Sequence, residues 1–189
     1  MSAVGQRDGL LQQVRLCLRR TAQAPQRGAR RGDAGTGGGA GASIMIFCNT
    51  KASCSFVHEQ LKGEGIPHAS IHGDLSKDER FIQMNMFAAG HVPVLVATDL
   101  ASRGMDVKSV GAVINFDMPL NVIDYLHRLG RTGRAGAAGL AISLVRKRDG
   151  ALVRGIQASL HSGRVPPSVP LCLHPPPGVL RIQNPELSG

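Results

Sequence analysis

Three arginines recur at intervals of three in "YLHRLGRTGRAG" (residues 125–136): Arg128, Arg131 and Arg134, with Gly130 and Gly133 between them. Guanidinium groups stay charged at any working pH and bond phosphate oxygens in pairs. Glycine costs a helix roughly 1 kcal/mol against alanine, so a run that begins helically loosens where the cations gather. The stretch suits an anion held against bare backbone, above all a phosphate. A helix C-terminus with glycine caps and solvated arginines has the same spacing, and the motif alone does not separate the two. Initiating phosphate chemistry needs further parts. The one Gly-x-x-x-x-Gly of the glycine-rich segment, Gly32 to Gly37, runs into Gly38 and Gly39 instead of Lys-Ser/Thr and follows no apolar strand. There is no serine nucleophile elbow and no H-E-x-x-H. The chain carries the parts that complete a phosphate site, since an arginine aimed at a transferring phosphoryl group contributes roughly 10³–10⁵ in rate.

Elements able to position these groups follow in alternation. "IMIFCN" (44–49), "HASIHG", "PVLVATD" (93–99), "GAVINFD" (111–117) and "GLAISLV" (139–145) read as short buried strands. "ASCSFVHEQLKGEG" reads as a helix with Phe56, Val57 and Leu61 inward. "SKDERFIQMNMFAAG" reads as another, with Ser76 as N-cap, Asp78 and Glu79 in the first turn, and Gly90 past the end. "NVIDYLHRLG" and the stretch after Arg148 supply further helices. Strands alternating with helices predict an α/β domain with a mostly parallel sheet and helices on both faces. In such sheets ligands gather at the carboxyl ends of the strands, where "ATDLASRGMD" and the loop after "IMIFCN" both fall. Phe47, Phe56, Phe81, Phe87 and Phe116 are expected in the core. Asp99 is expected either to fix the loop after its strand or to make a direct functional contact. His72 is expected to pack at a strand end, and Arg146, Lys147 and Arg148 to be a solvated run.

The charge of +9 is uneven. Residues 1–43 hold seven arginines against Asp8 and Asp33, a balance of +5, while residues 44–160 carry only +3 and the remainder +1. A basic flank binds nucleic acid or anionic lipid through charge alone. Within it "GLLQQVRLCLRR" predicts a short amphipathic helix at 9–20, and the Gly/Ala/Arg stretch that follows is expected to be a disordered linker. An Arg-rich start is also compatible with an organelle transit peptide. Residues 161–189 hold seven of the eleven prolines and are expected to form a disordered tail. The domain is thereby bounded at 44–160. Cys17, Cys48, Cys54 and Cys172 form no C-x-x-C pair, so neither zinc nor a disulfide framework is indicated and a reducing intracellular setting is expected, nucleus, cytoplasm or organelle. No apolar run approaches the roughly 20 residues of a membrane-spanning helix.

Taken in order, "IMIFCNT", "IHGDLSKDER", "VLVATDLASRGMD", "VINFDMP" and "YLHRLGRTGRAG" resemble the second RecA-like domain of the DEAD-box RNA helicases. The resemblance covers residues 44 to about 147, and the segment 9–20 resembles the helix that commonly precedes this domain. "HRLGRTGR", opening on His127-Arg128, is the DEAD-box form of the last helicase motif. The resemblance implies a RecA-like three-layer fold and a set of roles. Arg131 and Arg134 correspond to the arginine fingers on the γ-phosphate of ATP, and His127 and Arg128 to residues that couple the site to the partner domain. Asp106 corresponds to the ribose contact, with Gly104 beside it and Arg103 at the domain interface. Thr98 and Arg80 correspond to RNA-phosphate contacts, with Asn49, Thr50 and Gly73 on the same face. Lys77 stands where the family often has Gln.

The implied partners are RNA and a first RecA-like domain, which would hold most of an ATP with Mg²⁺. The P-loop and the DEAD motif of that domain are absent from these 189 residues, so the chain alone is expected to be inactive as an ATPase. Three readings follow. The chain is a fragment of an ATP-dependent RNA helicase, a stand-alone RNA-binding module, or a module that docks on another helicase's first domain.

Overall fold

Strands and helices alternate along the chain as their hydrophobic periods require. The computed structural model describes residues 3–23, 43–102, 110–133, 139–161, 171–172 and 179–183. Helix α1 (Ala3–Gln23) precedes β1 (Ile44–Cys48), α2 (Lys51–Gly63), β2 (His68–Ile71), α3 (Lys77–Ala88), β3 (Val94–Thr98) and the short α4 (Asp99–Ser102). Then come β4 (Ala112–Asn115), α5 (Val122–Leu129), β5 (Leu140–Leu144), a 3-10 turn at Lys147–Asp149 and α6 (Gly150–His161). The five strands lie in the order β2-β3-β1-β4-β5, every neighbouring pair parallel. The C-termini of these five strands therefore open at one end of the sheet.

Successive side chains on a strand face opposite ways, and the register turns this into two cores. Ile44 lies beside Val94 and Ala112, and Ala112 beside Leu140, so these positions share a face. On that face Ile44, Ile46, Val96, Ile114 and Ile142 meet Leu10, Leu11, Val14 and Cys17 of α1 and Cys54, Val57 and Leu61 of α2. On the other face Met45, Phe47, Leu95 and Val113 meet Phe87 of α3, while Ala141 joins Tyr125, Leu129 and Ile156 of α5 and α6. Each large apolar side chain so buried contributes about 1.5–3 kcal/mol. The result is the three-layer RecA-like arrangement with helices on both faces. The helix expected at 9–20 extends from Ala3 to Gln23, and an ion pair from Arg15 to Glu64 ties it to the end of α2. The Gly/Ala/Arg segment at 24–42 lies outside the described residues.

Three expectations need revision. Phe81 is 67% exposed, because α3 turns Met84 and Phe87 toward the sheet and Phe81 away from it. Arg146 is not solvated like Arg148, because its Nη2 donates to Asp117 Oδ1 at 2.6 Å. In the tail expected to be without structure, β6 (Leu171–Cys172) and β7 (Val179–Gln183) are strands, and β7 pairs antiparallel with β5. The edge of β5 offers a row of backbone partners, and "VLRIQ" is a proline-free run of strand length. At the opposite edge, the outward N–H of Ser70 on β2 donates to Gln83 Oε1 of α3 at 3.2 Å.

Candidate functional site

The carboxyl ends of β1, β3 and β4 converge on one buried guanidinium. Arg128, on the inner side of α5, is only 1% exposed. Its Nε donates to Asp99 Oδ1 at 2.7 Å and its Nη2 to Asp99 Oδ2 at 2.5 Å, a fork matched to the carboxylate. Nη1 donates to Asn115 Oδ1 at 3.1 Å and to the Asp117 carbonyl at 2.7 Å. Nη2 also donates to Asn49 Oδ1 at 2.7 Å, and the group lies 5.1 Å from the centre of the Phe47 ring. The partners are themselves fixed. Asn49 donates its backbone N–H to Asp117 Oδ2 and its Nδ2 to the Met118 carbonyl, and Asn115 Nδ2 donates to Ser143 Oγ. A buried charge without partners is costly; paired on every side it locks the loops that meet there.

The sequence implied a coupling role for Arg128 and left Asp99 open between two readings. Arg128 lies on the inner side of α5, and Asp99 holds it there. Asn115 and Asp117 were not singled out, and Arg146 was expected in solvent. A polar residue inside an apolar strand, such as the wholly buried Asn115, was the available signal. Cys48, at the end of β1, belongs to the same interior, and burial pushes its thiol well above the usual range.

Above this base lies a cleft of about 500 Å³ lined by Phe47, Asp99, Ile123, Asp124, His127, Arg128 and Arg131. Asn121 starts α5 by accepting from the Asp124 N–H at 2.8 Å, and His127 lies in the helix's last turn. Beyond α5 the chain is held by Thr132, whose hydroxyl bonds the Val110 carbonyl, and by the Arg131 carbonyl, which accepts from Val110 N–H at 2.9 Å. Gly133 takes a φ of 67°, which favours glycine. Gly139 packs so closely that a Cβ would lie 2.6 Å from Gly133 N. Leu100, Leu120 and Ile123 are exposed around the same end of the sheet. The Asp99 carboxylate is taken up by Arg128, and Asp124 Oδ2 accepts from Asn121 Nδ2 at 2.8 Å. Among the described residues no group of three or more His, Cys, Asp or Glu is placed to hold a metal ion.

The expected RNA contacts occupy the neighbouring ends of β2, β3 and β1. Thr98 closes β3 and is buried. Thr50 is exposed but caps α2, accepting from Ser53 N–H at 3.1 Å. Gly73 is exposed, beside the Lys51 side chain. Lys51 pairs with Asp74 at 2.5 Å, and that bond holds the Asp74 carboxyl below its usual range. Arg80, in the first turn of α3, donates weakly from Nη2 to the Leu75 carbonyl at 3.4 Å, while its buried Nε lacks a hydrogen-bond partner. His72 Nδ1 nearby is in the same condition. Ser76 starts α3 with a capping box, its hydroxyl accepting from Glu79 N–H and its own N–H donating to Glu79 Oε2. Bonds from Ser76 lower the Glu79 pKa. Arg103, Gly104, Asp106 and Arg134 lie outside the described residues.

The helicase conserved C-terminal domain matches residues 38–136. The chain belongs to that family. Its similarity is to the DEAD-box branch. It is 44% identical over 113 residues to the ATP-dependent RNA helicase DBP3 of Ajellomyces capsulatus, covering 60% of this chain and 23% of that protein. The E. coli DEAD-box protein SrmB, solved bound to regulator of ribonuclease activity A, is similar with a TM-score of 0.62 at 32% identity, covering 80% of this chain and 77% of that one. S. cerevisiae Dbp5, solved bound to RNA and ADP BeF3, has a TM-score of 0.58 at 36% identity over 62% of this chain and 32% of its own. The chain spans about a quarter of the length of the curated relatives it matches. As a DEAD-box C-terminal domain it has its Arg131 turn on the cleft and its Arg128 beneath it. No helix among the described residues is long and apolar enough to cross a membrane.

Proposed function

We propose that this domain supplies one half of a composite ATP and RNA site in a DEAD-box RNA helicase, whose activity is ATP-driven unwinding or remodelling of RNA. The observation that carries the reading is the cleft, where Arg131 and His127 stand over a base locked by Arg128. Arg131 and Arg134 are its arginine fingers toward the γ-phosphate, and Arg103, Gly104 and Asp106 its contacts to the nucleotide and the domain interface. Exposed Leu100, Leu120 and Ile123 around the opening give a docking first domain apolar surface to cover. Mg²⁺ arrives with ATP on that first domain. RNA lies along the ends of β2, β3 and β1, where Arg80, Thr98, Asn49, Thr50 and Gly73 give phosphate contacts that do not read bases.

The chain alone turns over no ATP in this reading. The test joins it to the first domain of a DEAD-box helicase and measures RNA-stimulated phosphate release. The joined protein is expected to hydrolyse ATP, and Arg131→Ala to lower the rate by roughly 10³-fold or more. ATP turnover by the chain alone, or an Arg131→Ala rate equal to that of the parent, would count against the proposal.

A further inference from the structure

The chain has five Phe and one Tyr, and all six lie among the described residues. Phe47, Phe87, Phe116 and Tyr125 are buried, and Phe56 stacks on Phe116 with ring centres 5.7 Å apart. Phe81 is the exposed one, and it stands in the second turn of α3, next to Arg80. An exposed aromatic ring gains little from water, and one beside cations is a standard means of holding a single-stranded base.

Helix geometry decides which neighbours Phe81 has. Residues four apart lie about 40° from each other around a helix and one turn apart along it, so Phe81 follows Lys77 on one flank. Ile82 diverges from Phe81 by about 100° and Met86 by about 140°. Ile82 and Met86, about 40° apart, therefore make a pair of their own, and Phe81 stands apart from them on the Lys77 flank. Lys77 is exposed, and the α3 N-terminus with Gly73 and Arg80 opens at the carboxyl end of the sheet. One helical turn separates Lys77 from Phe81, comparable to the step from a phosphate to its base.

We infer that Phe81 is a stacking platform for one base of a single-stranded RNA whose backbone crosses Lys77 and Arg80. This rests on the RNA face proposed above and adds to it a base contact. Stacking is tolerant of sequence, because every base has a π-face. The platform holds bases without naming them, with purines held better than pyrimidines.

The test titrates the full chain with oligoadenylate and with an abasic ribose-phosphate oligomer of the same length, over a range of salt. Phe81→Ala is expected to weaken oligoadenylate binding roughly 5- to 150-fold and to leave both the abasic affinity and the salt slope unchanged. Phe81→Trp is expected to retain binding. Lys77→Ala is expected to reduce the slope by about 1. Phe81 is exposed, so these variants fold. Salt-dependent binding that Phe81→Ala does not weaken would overturn the stacking role alone and leave α3's apolar residues as a protein contact. A parent chain with no salt-dependent RNA binding would overturn the RNA face, and this inference with it.

Discussion

Two cationic regions at the same end of the sheet are built in opposite ways. Around Arg128, every side-chain nitrogen has a hydrogen-bond partner, and the guanidinium joins three strand ends. At the start of α3, Lys77 stands in solvent and Arg80 keeps a buried Nε without a hydrogen-bond partner. The first region uses positive charge to position other groups. The second leaves it without such bonds, as the proposed RNA face requires. Residue type therefore does not separate framework from binding surface; burial and partner count do.

Substitutions sharpen the contrast. The largest effect is expected at the hub. Arg128→Met leaves Asp99, Asn115 and the Asp117 carbonyl without their donor, and should cost about 3 kcal/mol, read as a lowered urea midpoint. Gly139→Ala comes next. Its Cβ would meet the Thr132 hydroxyl at 2.5 Å and the Gly133 backbone N at 2.6 Å, and that backbone cannot rotate aside. A loss of about 1–3 kcal/mol is expected, together with a displaced Arg131 turn, which near-parent ATP turnover in the joined protein would contradict. The smallest is at the rim. Ser76→Ala removes half of the capping box and should cost about 1 kcal/mol, with amide exchange raised in the first turn of α3 and unchanged at α5. Equal losses from Arg128→Met and Ser76→Ala would erase the distinction.

Sequence carried the alternation of elements well. Ile44, Ile46, Val94, Val96 and their neighbours could only be buried strands, and Ser76 announced the start of α3 with its cap. One wall of the cleft was legible through "HRLGRTGR" because His127, Arg128 and Arg131 are near in sequence, whereas Phe47 and Asp99 join it from the ends of distant strands. The hub was not. Arg128 meets Asp99 across 29 residues and Asn49 across 79, and no local period encodes which distant strand ends a guanidinium will join. Phe81 was misassigned for a related reason. The apolar residues of α3, Phe81, Ile82, Met84, Met86 and Phe87, point several ways around the helix, so which side turns inward was decided by the packing of Met84 and Phe87 on the sheet. The pairing of β7 escaped notice because prolines on either side outweighed a short strand-forming run.

The bond from Ser70 to Gln83 has a consequence for how this domain keeps company. A parallel sheet left open at its margins invites strands from other molecules and grows by accretion. Here one margin has an amide plugged by a helix side chain, and the other is covered by the chain's own antiparallel strand. Within the parallel strands β5 is thus already paired and β2 has one outward amide occupied, so a foreign strand finds fewer backbone groups to join.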